Sequence, residues 1–183
     1  MQQIYPAPAD PSPSPVQLLA RFIAQHGIIA EIVPVAVETP TVPAAAAALG
    51  VSTAQIIKSL LFMIREEPVL VIASGDTLVD RHILAVRFGV GKKQIKLADA
   101  ETVLRLTGYP AGGVPPFGHP APLLTLLDRA VMAWDAVYGG GGDDHTLLRV
   151  APGELARVTG AEWIEADGAA LSSPPERLST PED

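Results

Sequence analysis

Cysteine is absent from all 183 residues, so neither a disulfide nor a thiolate-bound metal contributes to this protein. A cysteine-free chain fits a reducing compartment, and the expected location is the cytoplasm. No uninterrupted apolar run approaches the roughly 18–20 residues of a membrane span. The first residues show no basic segment leading into an apolar core, which predicts no secretory signal. Positive charge is also short: a net charge of −7 argues against general affinity for nucleic acid. Catalytic signatures are missing as well. No serine stands in a Gly-x-Ser-x-Gly turn, and no histidine has the spacing of a metal ligand set. The tract Gly139–Gly142 lacks the Gly-Lys-Ser/Thr of a phosphate loop, which excludes nucleotide hydrolysis by that route. No metal and no cofactor are expected.

What is present suffices for one domain with a core, since 48% of the residues are hydrophobic. Residues 1–14 and 169–183 are rich in Pro, Ser and Ala and are read as mobile tails flanking a domain over 15–168. Within it, "PVQLLARFIAQHG" has helical spacing between Pro15 and Gly27, and "AEIVPVAVE" is a strand whose Pro34 suggests an edge or bulge. "VPAAAAALG" is a short helix, and a turn capped near Ser52 precedes a buried hairpin, "SLLFMI" and "PVLVIAS", around Arg65-Glu66-Glu67. "LVDRHILAVRFG" is a helix, a short strand surrounds Ile95–Leu97, and Asp99 caps "AETVLRLTG". "PLLTLLD", a strand from Trp134 to Tyr138, "HTLLRV" and a last helix "PGELARVTG" complete the core. Helices and hairpins alternate without βαβ repetition, so the fold class is mixed α/β.

Three features bear on chemistry. The first is "TGYPAGGVPPFGHPAP", where Gly108, Gly112, Gly113 and Gly118 permit positive φ while Pro110, Pro115 and Pro116 fix φ and remove donors. This is a loop of defined shape, either a binding loop or a rigid connector. The second is Lys58, set in "AQIIKSLLFM" with no acidic residue within seven positions. Such a lysine either works or snorkels to solvent; pointed into a pocket, it has no partner until a substrate anion arrives. The third is charge distribution. Arg81, Arg87, Lys92, Lys93, Lys96 and Arg105 share a segment with only Asp99 and Glu101, giving an acidic protein one basic face. That suits either an RNA end touched at one place or a solvated surface. Among the histidines, His26 suits a helix C-terminus, His82 lies in the basic helix, and His119 and His145 each follow a glycine-rich stretch where a pocket could form.

Taken together, "QIIKSLLF", the Ser74-Gly75 pair after the second hairpin strand, and "TG-x-x-x-GGVPP-x-GH" resemble the YbaK/prolyl-tRNA-editing family, over roughly residues 16–166. The resemblance implies a barrel-like mixed β-sheet with surrounding helices. It implies hydrolysis of the ester joining a wrong amino acid to the 3′ adenosine of tRNA, without metal or covalent nucleophile. Lys58 and the backbone of Gly112 and Gly113 would be catalytic. Ser59, Ser74, Gly75, Pro115, Pro116, Gly118, His119 and His145 would contact substrate, and Arg81, Arg87, Lys92, Lys93 and Lys96 the tRNA. The loop looks closest to the free-standing ProX-type deacylases acting on small amino acids such as alanine. The implied partners are a mischarged tRNA, tRNA(Pro) foremost, and prolyl-tRNA synthetase. Two rivals are a non-catalytic adaptor of the same fold that binds the tRNA end, and a small-molecule binding protein unrelated to tRNA.

Overall fold

The computed structural model describes residues 13–168. The tail expectations for 1–12 and 169–183 therefore lie outside the described residues, while Ser14, counted with the first tail, caps a helix.

Local chemistry sets the helix boundaries. Helix α1 (Pro15–Gln25) opens with a capping box, the Ser14 hydroxyl accepting from the Gln17 N–H while the Gln17 side chain accepts from Ser14 N–H. Thr41, Asp80 and Asp99 cap α2 (Val42–Leu49), α3 (Arg81–Phe88) and α4 (Ala100–Thr107), each satisfying an N–H of the first turn. These three helices, and α5 (Pro152–Thr159), stop at a left-handed glycine.

The strands form two sheets. One holds β1 (Ala30–Pro34), β7 (Thr146–Val150) and β6 (Val137–Gly140) in the antiparallel order β1-β7-β6. The other runs β4-β2-β3-β5-β8, from β4 (Ile95–Leu97) through β2 (Ile57–Ile64), β3 (Glu67–Ser74) and β5 (Leu124–Asp128) to β8 (Glu162–Ile164). β2 and β3 pair antiparallel through a two-residue turn, Arg65-Glu66, both at positive φ. β3–β5 and β5–β8 are parallel. Pro34 lies on the edge strand β1, as its missing N–H requires.

The expected barrel-like closure does not occur. Among the described residues the two sheets meet at one isolated bridge, Ile56 to Tyr138, and the five-stranded sheet ends at three-residue strands, β4 and β8. A closed barrel needs a continuous hydrogen-bond ladder, and these edges are too short and too far apart in the order to supply one. Side chains join the sheets instead: Leu19, Leu61, Leu70, Ile72, Val137, Leu148 and Leu155 lie in one buried cluster spanning both.

Two further readings change. The segment from Trp134 to Tyr138 is not one strand: a 3₁₀ turn covers Arg129–Ala133, and β6 starts at Val137 and includes Gly139 and Gly140. A Cβ on Gly140 would stand 2.6 Å from the Gly113 carbonyl carbon and from the Val114 oxygen, so only glycine lets these backbones meet. The strand β8, absent from the sequence reading, adds Trp163 and Ile164 to the sheet edge.

Candidate active site

A cavity of about 300 Å³ opens where the two sheets meet. Lys58 and Ser59 of β2, Gly139 and Gly140 of β6, and Gly112 and Val114 of the Gly/Pro loop line it. The segment Thr39–Val42 and the first turn of α2 cover the opposite side, with Ala45, Ile56, Ile57 and Leu147 adding apolar walls.

The Gly/Pro loop is held from several directions. The Gly113 N–H donates to Pro110 O at 3.0 Å, and the Gly142 N–H donates to Gly113 O at 2.9 Å. Gly113 is buried under Asp143, where a Cβ would meet backbone atoms at 3.0 Å. Gly112, at φ +95°, keeps an N–H that donates to no group among the described residues. The loop thus commits the Gly113 amide to its own turn, while Gly112, which lines the cavity, keeps an amide that no described group engages. Pro115 and Pro116 are buried, and Pro115 O accepts a 3.0 Å hydrogen bond from His119 Nε2, which fixes the proton on that nitrogen. Burial lowers the His119 pKa, with the Pro115 bond acting in the opposite sense, so the ring is a neutral prop for the loop. Tyr109 lies edge-on to His119 and donates to Gly118 O at 3.0 Å; burial pushes its phenol up to about 12.

Lys58 departs from the expectation of an unpartnered ammonium. Its Nζ donates to Gly75 O at 3.0 Å and to Thr77 O at 2.7 Å, clasping the loop between β3 and α3. Burial lowers its pKa, while the carboxylates of Asp76 and Asp128 pull it back up. The sequence reading missed this because Gly75, Asp76 and Thr77 arrive through the β2–β3 pairing and Asp128 through the β3–β5 pairing, all from far along the chain. Asp128, ending the apolar run of β5, is buried; its Oδ2 accepts from Thr77 Oγ1 at 2.8 Å and Ser74 N–H at 3.4 Å. Its Oδ1 accepts from the N–H groups of Ala130 and Ala166. A carboxylate closing an apolar strand was the available signal. A lysine whose ammonium has a third N–H remaining, lining one cavity with a glycine whose amide is unengaged, is equipped to meet an oxyanion or ribose oxygen.

The other expected site residues divide. Ser59 Oγ is buried and has no hydrogen-bond partner among the described residues. Ser74 donates its hydroxyl to Ala54 O, and Gly75 N–H donates to Ile56 O at 2.6 Å, so both build the wall behind Lys58. Pro116, Gly118 and His119 line a separate cavity of about 440 Å³ with Phe22 and His26. His145 is exposed and its imidazole, Asp144 and Glu38 bring ligand atoms within 4.8 Å of one another, a grouping no local spacing could reveal. Thr39, buried beside them, donates both its N–H and its hydroxyl to Asp144 O and reaches the cavity wall; sequence reasoning did not single it out. Arg81 and Lys92 line a third cavity, Arg87 is paired with Glu162, and Lys93 and Lys96 are exposed. No helix of the described residues is long and apolar enough to cross a membrane.

Comparison with known proteins agrees with this geometry. Residues 36–158 match the family model of the aminoacyl-tRNA editing domain. YwhH, an uncharacterized protein of Bacillus subtilis (strain 168), is 30% identical over 127 residues, covering 68% of this chain and 79% of YwhH. The proline–tRNA ligase of Pelotomaculum thermopropionicum is 32% identical over 110 residues, 60% of this chain but 19% of the ligase. A crystal structure of a candidate trans-editing enzyme for prolyl tRNA synthetase superposes with a TM-score of 0.77 at 31% identity, covering 85% of this chain and 98% of that one. With the matched span running from the Thr39 wall to α5, the chain belongs to the aminoacyl-tRNA editing domain family.

Proposed function

We propose that this chain is a free-standing deacylase that hydrolyses the ester of a mischarged tRNA, tRNA(Pro) carrying alanine or another small amino acid. One observation carries the reading: in an editing-domain chain, a cavity of about 300 Å³ brings Lys58 together with the unengaged amide of Gly112. Water adds to the ester carbonyl, the negative charge on its oxygen is met by the Gly112 N–H, and the ribose oxygen departs with a proton as the free amino acid forms. Lys58 holds the ribose or phosphate side of the terminal adenosine while keeping the β3–α3 loop in place. Small size and walls of Ala45, Ile56 and Leu147 favour a short side chain. The extent of the match to YwhH, against about a fifth of the ligase, supports a separate chain acting in trans, with prolyl-tRNA synthetase as the source of its substrate.

The test is a panel of tRNAs charged with alanine, 2-aminobutyrate, serine, threonine, cysteine, phenylalanine and proline. Alanyl and 2-aminobutyryl esters should be cleaved fastest, with leakage to serine, since one methylene discriminates by only about 10–200-fold. Binding without hydrolysis of any ester would instead identify an adaptor of the same fold, and absence of tRNA binding would remove both readings.

A further inference from the structure

A larger cavity, of about 980 Å³, lies on the other side of the wall that Lys58 clasps. We propose that it holds the nucleotides preceding the 3′-terminal adenosine of the substrate RNA, an inference that rests on the first cavity being the aminoacyl site. The two cavities share a partition. Lys58 lines the first, its ammonium grips Gly75 O and Thr77 O, and Ser74 and Thr77 line the second. An RNA whose terminal ester enters the first cavity therefore has its upstream nucleotides beside the second.

The lining suits a single-stranded polynucleotide. Trp134 presents a half-buried indole, partly seated on the core, and so offers a fixed platform for a base. Leu78 beside it is 87% exposed, an apolar surface the fold itself does not use. Arg81, from the start of α3, and Lys92, from the turn before β4, converge on the same cavity. Neither forms an ion pair among the described residues, whereas Arg87, Arg129, Arg149 and Arg157 all do. The acids of the cavity are engaged within the protein: Asp80 accepts from the His82 N–H at 2.8 Å, Asp76 faces Lys58, and Asp167 is not free. The two cations that line this cavity are thus both without a counter-ion among the described residues and share it with the aromatic surface, an arrangement for a phosphodiester with a stacked base. The cavity is also far larger than an amino acid requires.

Trp134 and Trp163 are the two tryptophans, so a Trp163→Phe variant reports from Trp134 alone. Titrating it at low salt with a single-stranded oligoribonucleotide that ends in CCA and carries no amino acid should quench the fluorescence saturably. Lys92→Ala in that background should weaken binding by about tenfold and reduce the salt slope by about one unit. In deacylation, Trp134→Ala and the exposed Lys92→Ala should each lower kcat/KM for an aminoacylated microhelix at least tenfold more than for aminoacyl-adenosine alone. No quenching of Trp134 by an RNA that binds the protein would overturn the site, as would equal losses on the long and the short substrate. Quenching by an RNA whose ester the wild-type protein never cleaves would support the nucleotide site and sink the deacylase. Cleavage without quenching would do the reverse.

Discussion

Replacing Lys58 by Ala removes two charge-assisted hydrogen bonds, to Gly75 O at 3.0 Å and Thr77 O at 2.7 Å. Bonds to charged groups contribute about 1.5–3 kcal/mol each where they are well buried. Two effects reduce that sum. The ammonium is partly exposed, so the deserted carbonyls can turn to water, and burial of the charge itself opposes folding, as the lowered pKa records. The expected net loss is about 1–2 kcal/mol, equivalent to about 2–8 °C in Tm for a domain of this size. The sequence alone forecasts no loss, because it shows the ammonium without a partner. Single-turnover deacylation should fall by two orders of magnitude or more, about 3 kcal/mol of transition-state stabilisation. A stability loss that small leaves nearly all molecules of a typical domain folded, so it cannot explain the lost turnover. Lys58→Arg should rescue poorly, since a planar guanidinium cannot reach both carbonyls from the place of a compact ammonium. Urea unfolding and single-turnover assays on one preparation measure both effects. An unchanged or raised Tm would refute the clasp, and retained turnover would remove Lys58 from the chemistry.

Gly140→Ala should destabilise by about 2 kcal/mol or more and abolish turnover, because the added carbon meets Gly113 and Val114 backbone at 2.6 Å; Gly153→Ala, with nothing within 4 Å, should instead be neutral or stabilising by up to about 1 kcal/mol. Equal melting temperatures for the two would contradict the packing argument. Replacing the turn Arg65-Glu66, at φ 50° and 72°, by Asn-Gly should raise stability by about 1 kcal/mol in denaturant titration, since both positions sit in the left-handed region. The Glu154 carboxyl accepts from Arg157 and from the Ile29 N–H, which hold its pKa down at about 2. Its folded-state pKa is depressed, so its contribution is present above the ordinary carboxylate value and is lost as pH falls toward 2. Glu154→Gln should therefore flatten the acid limb of a stability–pH curve between pH about 4.5 and 2, and an unaltered limb would show the bonds to be without effect.

Much of the fold was legible because its signals are local. Asp99 and the glycines at 50, 89, 108 and 160 mark helix ends by their own chemistry, and the apolar runs on either side of Arg65 mark the hairpin. Lys58 and Gly112, which line the cavity, also stood out in the sequence, as a cation in an apolar run and a glycine in a proline-stiffened loop. What escaped depends on distant neighbours. The partners of Lys58 come from 17 and 19 positions away, and Thr39 meets Asp144 across 105 positions. Gly139 and Gly140 looked like a loop because nothing in the tract announces that another backbone lies against it. β8 is three residues long and has too short a pattern to register.

The lone bridge between Ile56 and Tyr138 has a consequence for how the substrate range of such a domain can change. Elsewhere in the sheets, spacing between strands is dictated by ladders of paired amides and resists adjustment. At the seam it is dictated by the girth of side chains such as Val42, Ala45 and Leu147, which can be exchanged one at a time without unpairing a strand. Selectivity for the amino acid is thereby separated from the integrity of the scaffold: a lineage can widen or narrow the chamber by trading methyl groups there, while the lysine clasp and the glycine loop stay in register.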